Sequence, residues 1–152
     1  MNASTDRIEK QIILKAPRSR VWQALTNAEK FGEWFGVVLK GKTFTVGARV
    51  EGEKVNGCGD KKGLWDALIE RIDPEQFFAY RWHPYAADST IDHSAEPMTL
   101  VEFELADTAD GTLLSVVESG FDRIPAARRA EAFPMHTNGW EQQMKSIEAY
   151  LA

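Results

Sequence analysis

Cysteine is nearly missing from this chain of 152 residues, where Cys58 stands alone. One thiol closes no internal disulfide and builds no zinc or iron–sulfur centre that needs several thiolates, so a reducing compartment is expected. Histidine is almost as scarce. His83, His93 and His136 show neither the i, i+4 ligand spacing of a helical metal site nor a close carboxylate companion, and no metal is expected. Basic runs are short: no more than two Lys or Arg stand together, and 18 basic against 23 acidic residues give a net charge of −5. That excludes a nucleic-acid footprint and a polybasic membrane patch. No apolar run approaches the roughly 20 residues of a membrane span, and MNASTDRIEKQ lacks the layout of a signal peptide. The expectation is a cytoplasmic protein. Also lacking are a Gly-rich phosphate loop, a dinucleotide fingerprint and a nucleophile elbow around Ser89, Ser94, Ser115, Ser119 or Ser146, so no cofactor is expected.

What is present is a chain with 43% hydrophobic residues, enough for one domain over residues 1–152. Its most legible stretch runs from Pro134 to Ala152. There Trp140, Met144, Ile147 and Leu151 fall at i, i+4, i+7 and i+11, one face of a helix whose other faces are polar. Burying each is worth about 1.5–3 kcal/mol, so the stripe needs a partner surface. Upstream, Ile8, Ile12 and Leu14 mark a first strand, interrupted on its apolar face by Lys10. Ala16-Pro17 opens a short helix with Val21, Trp22 and Leu25 buried. Phe31 to Gly36 packs three aromatics into a second helical turn, too short to stand alone.

The remaining signals are strands: Phe44–Val46, Ala48–Glu53, a hairpin of Leu64–Asp73 with Gln76–His83, then Thr99–Leu105 turning at Asp110-Gly111 into Thr112–Gly120. Asn56 to Asp60 reads as a turn and Pro84 to Pro97 as a loop. Pro125–Ala132 is helical, with Pro134 kinking or restarting the chain into the last helix. The fold class is therefore α+β, an antiparallel sheet whose apolar face meets the Trp140 stripe.

Ala16-Pro17 followed by Val21-Trp22, Ala24-Leu25-Thr26, Trp34-Phe35, Asp73-Pro74, Tyr80-Arg81-Trp82, Gly111-Thr112, Gly120-Phe121 and Gly139-Trp140 resembles the family of homologues of the ATPase activator of the ninety-kilodalton heat-shock chaperone, part of the START-like superfamily. The resemblance implies a helix-grip fold. In it a curved antiparallel sheet wraps a long C-terminal helix, two short helices follow the first strand, and a cavity lies between. It also brings a link to stress response. Chaperone activation in the family's eukaryotic bearers depends on a separate N-terminal domain that 152 residues cannot hold. The iron oxygenases of the superfamily need a two-histidine, one-carboxylate triad and an iron–sulfur domain, which this composition excludes.

Strand alternation turns Tyr80, Trp82, Val101, Phe103, Leu114 and Val116 toward the helix. With Trp34, Phe35, Glu118, Trp140 and Met144, the residues Tyr80, Trp82 and Phe103 form the expected ligand-binding set, a pocket for an apolar or aromatic molecule. The same residues also suit a filled core. Standing off from the strands would make Trp140 and Met144 site walls; full packing would make them core. Glu70 and Glu118 share the parity of inward neighbours, so either carboxylate could point inward and serve as a general base; at a strand end either could instead reach water, Arg49 or Arg81. His83 suits a cavity rim, and Cys58 beside Lys61 and Lys62 a surface thiol. The leading reading is a non-catalytic small-molecule binding protein, monomer or homodimer, with a hydrophobic small molecule as partner. The alternatives are a protein-interaction module for a chaperone or enzyme partner, and an enzyme acting on a polyketide-like or aromatic compound.

Overall fold

Alternation of apolar and polar residues, sustained over ten residues at 99–108 and nine at 111–119, commits the middle of the chain to a sheet with one dry face. The computed structural model describes residues 7–54, 64–83 and 97–152. The chain opens with β1 (Arg7–Leu14) and passes through α1 (Arg18–Thr26) and α2 (Ala28–Phe35). It then lays down β2 (Val37–Val38), β3 (Arg49–Lys54), β4 (Leu64–Asp73), β5 (Phe77–Trp82), β6 (Thr99–Thr108) and β7 (Gly111–Ser119). A 3-10 turn (Phe121–Arg123) leads into α3 (Ala126–Leu151). All seven strands form one antiparallel sheet in the order β1-β7-β6-β5-β4-β3-β2. β1 reaches the far side of the meander and pairs with β7 in a register that sets Ile12 opposite Leu114.

This is the helix-grip arrangement, a curved sheet closed by a long C-terminal helix. The stripe of Trp140, Met144, Ile147 and Leu151 is buried against the sheet's inner face, with the Trp140 and Phe103 rings 5.7 Å apart. The helix is longer than its most legible stretch. It starts at Ala126 and carries Pro134 inside, so the proline interrupts the backbone ladder without ending the helix. Proline cannot donate to the carbonyl of Ala130, but Phe121 packs on Phe133 at 5.1 Å and on His136 at 5.8 Å, to either side of the proline, and this packing helps to hold the segment helical.

Asn27 ends α1 and starts α2: its N–H donates to the Gln23 carbonyl, while its side chain accepts from the Lys30 N–H at 3.1 Å. The aromatic stretch after it is therefore a complete eight-residue helix, closed by Gly36 at φ 91°. Phe31 projects from it onto Trp65 and Tyr80 of the sheet, at ring separations of 5.3 and 6.3 Å. Phe44–Val46 is not a strand. Phe44 lies buried against Phe78 at 5.4 Å, and this packing holds the segment where pairing would otherwise be expected. The two-residue β2 went unforeseen because two residues carry no periodicity. Asn56 to Asp60, with Cys58, and the stretch 84–96, with His93, lie outside the described residues.

Gly32 sits mid-helix where glycine normally costs about 1 kcal/mol relative to alanine. A Cβ there would overlap the Val37 carbonyl oxygen, which belongs to the backbone and cannot swing away. Gly32→Ala is therefore expected to destabilise by about 1–3 kcal/mol, as overpacking does, instead of gaining from propensity. Urea denaturation measures the sign directly.

Candidate functional site

On β7 the alternation that buries Thr112, Leu114 and Val116 carries on one step and buries Glu118, leaving a carboxylate with no exposed surface on an apolar face. Isolated, it would cost several kcal/mol. It is not isolated. On the sheet side, Trp82 at the end of β5 and Thr99 at the start of β6 are opposite each other in register. Their Nε1 and Oγ1 donate to Glu118 Oε2 at 2.7 and 2.5 Å. On the helix side His136 and Trp140, one turn apart on α3, meet Oε1 at 2.6 and 2.8 Å through Nδ1 and Nε1. Two donors on each oxygen fill the roughly four acceptor positions of a carboxylate.

Burial is the largest influence on this carboxyl and pushes its pKa up, but the charge of His136 and hydrogen bonds from His136, Thr99 and Trp82 together hold it below the ordinary value of 4.5. Glu118 is thus ionised at neutral pH. As an ionised carboxylate accepts only, His136 carries its hydrogen on Nδ1. The imidazole is flanked edge-on by Trp82 at 5.5 Å and Phe121 at 5.8 Å.

The expected ligand-binding residues fall into one aromatic cluster around this anchor. Phe35 lies 6.0 Å from both Trp82 and Trp140, and Trp82 lies 5.9 Å from Trp140. Tyr80 stands 5.3 Å from Trp82 and 6.2 Å from Phe103. Trp34 stacks edge-on to Phe35 at 5.5 Å while its Nε1 donates to the Ala24 carbonyl. Trp140 and Met144 are buried to 3% and 4% exposure, packed against the strands, whereas Phe35 and Trp82 remain half-buried. Deeper on the sheet, the Tyr80 hydroxyl and Trp65 Nε1 are buried with no hydrogen-bond partner among the described residues.

Glu70 takes the outward of its two expected positions: Trp65, Ala67 and Ile69 are the buried side of β4, so Glu70 is exposed and 3.2 Å from Arg81. A β-bulge between Ile69 and Arg71 then shifts the register and sets Ile72 opposite the buried Phe78. One expectation is corrected. The histidines do include one with a carboxylate companion, because Glu118 and His136 are 18 positions apart in sequence and only the docking of α3 joins them. His136 was missed for that reason, and Thr99 because only the pairing of β6 with β7 brings it beside Glu118. The available signal was that an inward Glu118 needs donors, and that His136 precedes Trp140 by one helical turn. His83 is half-buried beside this cluster's Trp82. Among the described residues no three His, Cys, Asp or Glu side chains group as metal ligands, and no helix is long and apolar enough to cross a membrane.

The family model for activator of Hsp90 ATPase homolog 1-like proteins matches residues 15–152. Among solved structures, a Mesorhizobium loti protein is similar over 94% of each chain, with 23% identity and a TM-score of 0.69. A Mycobacterium smegmatis protein is similar over 97% of this chain and 91% of its own, with 17% identity and a TM-score of 0.77. A protein of the dynemicin biosynthetic locus shares 23% identity and a TM-score of 0.69 over 96% of this chain but 47% of its own length. At these identities the likenesses speak for the fold. No curated protein matches the sequence significantly.

Removing the Glu118 carboxylate strands four donors. Glu118→Ala is expected to cost about 3–5 kcal/mol, the usual loss when one side of a buried charged pair is deleted. Glu118→Gln also destabilises, since its amide nitrogen faces two donors. Because the folded-state pKa lies below the unfolded one, the carboxylate's contribution is fully present above about pH 4.5 and is lost as pH falls through the folded value. Denaturation midpoints measured from pH 7 to pH 3 should fall more steeply in the wild type than in Glu118→Gln.

Proposed function

The chain belongs to the activator of Hsp90 ATPase homolog 1-like family, and on that premise we propose that it binds an apolar or aromatic small molecule between the sheet and α3. The observation that carries this reading is the direction of the polar atoms. Trp82, Trp140, Thr99 and His136 all spend a hydrogen bond on Glu118, and Trp34 spends its own on Ala24. What the three rings on Glu118 (Trp82, Trp140 and His136) leave for contact is their apolar faces, with each ring fixed by a hydrogen bond at its nitrogen. A wall of fixed, polar-satisfied aromatics is suited to a flat hydrophobic ligand, since it gives area at little cost in side-chain entropy.

Phe35 and Trp82, the half-buried rings, form the mouth. The ligand meets them first and reaches Trp140, Phe103 and Met144 as Phe35 swings aside. Glu118 acts here as an anchor that positions the walls and not as a ligand contact. Trp140 and Met144, at 3% and 4% exposure, are core in the unliganded chain, so this reading requires the site to open upon binding.

The enzymatic reading survives only with a different proton carrier. Glu118, saturated by four donors and with a lowered pKa, is a poor base. His136, oriented by that carboxylate at 2.6 Å, is the group such chemistry would use.

Titration with an aromatic probe such as anilinonaphthalene sulfonate should change tryptophan fluorescence saturably. Phe35→Leu, which keeps apolar packing against Phe31, Trp65 and Trp140 but removes the ring, should weaken the affinity by about fivefold or more while lowering the unfolding free energy by no more than about 1.5 kcal/mol. A folded sample that gives no response across a broad panel of hydrophobic probes would overturn the proposal.

A further inference from the structure

Among the described residues, the Tyr80 hydroxyl and the Trp65 indole nitrogen are the two side-chain groups of the aromatic interior without a well-formed hydrogen bond; the Trp65 N–H leans toward the Tyr80 oxygen, which leaves the phenolic hydrogen without an acceptor. Tyr80 has no exposed surface and Trp65 has 1%, their rings are 5.5 Å apart, and neither Oη nor Nε1 meets a hydrogen-bond partner among the described residues. Buried polar groups are nearly always paired, so two orphans side by side on the inner face of β4 and β5 call for an explanation. Every other indole in the cluster has one: Trp82 and Trp140 donate to Glu118, and Trp34 to Ala24.

An indole N–H is donor only, and a phenol donates as well as accepts. Even if the Trp65 N–H turned onto the Tyr80 oxygen, the phenolic hydrogen would still need an acceptor. We propose that Tyr80 and Trp65 form the polar floor of the binding site and receive a neutral carbonyl oxygen at the buried end of an otherwise apolar ligand, such as an aryl ketone or a quinone. The inference rests on the ligand-binding reading and specifies its substrate class.

Charge narrows the choice to a neutral oxygen. Burial first, then the nearby negative Glu118, push the Tyr80 hydroxyl well above the ordinary tyrosine value, offset only in part by the Trp65 N–H leaning on its oxygen, so it remains a donor at physiological pH. The same field and the same apolar surroundings repel a carboxylate or phosphate. The floor is one ring from the mouth: Trp65 lies 6.2 Å from Phe35, and Tyr80 lies 5.3 Å from Trp82, the two half-buried side chains. A bicyclic aromatic entering past Phe35 would bring a terminal oxygen to this depth.

The test compares 2-acetylnaphthalene with 2-ethylnaphthalene, molecules of similar shape that differ in the carbonyl. Binding is followed by tryptophan fluorescence in the full chain, its Tyr80→Phe and Trp65→Phe variants, with unliganded stability measured alongside. The ketone should bind wild type about fivefold or more tighter than the hydrocarbon. Tyr80→Phe should bring the ratio to within about twofold by weakening the ketone alone, and should not destabilise the unliganded chain, since it deletes a hydroxyl with no partner. If both probes bind wild type equally, or if Tyr80→Phe lowers stability and leaves the ratio unchanged as it would were the hydroxyl bonded to an internal water only, the carbonyl floor is wrong while the binding site stands. If neither probe nor any other hydrophobic probe binds folded protein, the binding reading fails and the floor with it.

Discussion

One ionised carboxylate, closed off from water, is the point on which the interior of this protein depends. Glu118 receives two donors from neighbouring strands and two from successive turns of the last helix. Hydrophobic burial would hold α3 on the sheet without it, but apolar contact is non-directional and would tolerate a slide or a rotation. Four hydrogen bonds to two oxygens 2.5–2.8 Å away leave little freedom. The helix register, the end of β5 at Trp82 and the orientation of His136 are set together.

The arrangement also explains how an aromatic-rich interior keeps a defined shape. Rings such as Phe31, Phe35, Trp65, Tyr80, Trp82, Phe103 and Trp140 can interlock in several ways at similar cost. Tying Trp82 and Trp140 to one anion, and Trp34 to the Ala24 carbonyl, selects one packing. Gln143 and Ser146 of α3 add bonds to the Phe35 and Trp34 carbonyls at 3.0 and 2.5 Å, so the short aromatic helix is fastened to the long one as well. Membership of the family and the helix-grip fold follow from the chain as a whole; what is particular to this molecule is how its polar atoms are distributed among the rings.

Much of the architecture could be read from one-dimensional patterns, because period-2 and period-3.6 burial are local consequences of backbone geometry. The inward face of Tyr80, Phe103, Leu114 and Val116, and the buried stripe from Trp140 to Leu151, were legible for that reason. Failures came where local geometry was overridden. A bulge after Ile69 separated Leu68 and Ile72, which share a parity, setting Leu68 opposite Arg81 and Ile72 opposite the buried Phe78, and Phe44, packed on Phe78, lies outside any strand. Of the kink or restart expected at Pro134, the restart is absent: one helix runs through the proline, with Phe121 packed on Phe133 beside it.

The sequence by itself determined most of the dry interior and narrowed the acids that could join it to Glu70 and Glu118, since alternation along β7 acts on Glu118 as it does on Leu114 and Val116; the tertiary structure turned Glu70 out to Arg81 and Glu118 in. The sequence could not say whether Glu118 would be a strained base or a quiet anchor. That depended on donors 18, 19, 22 and 36 positions away in the chain. Only the antiparallel register of β5 with β6 and the docking of α3 bring them to the same two oxygens, and no local pattern encodes a distance across a sheet–helix interface.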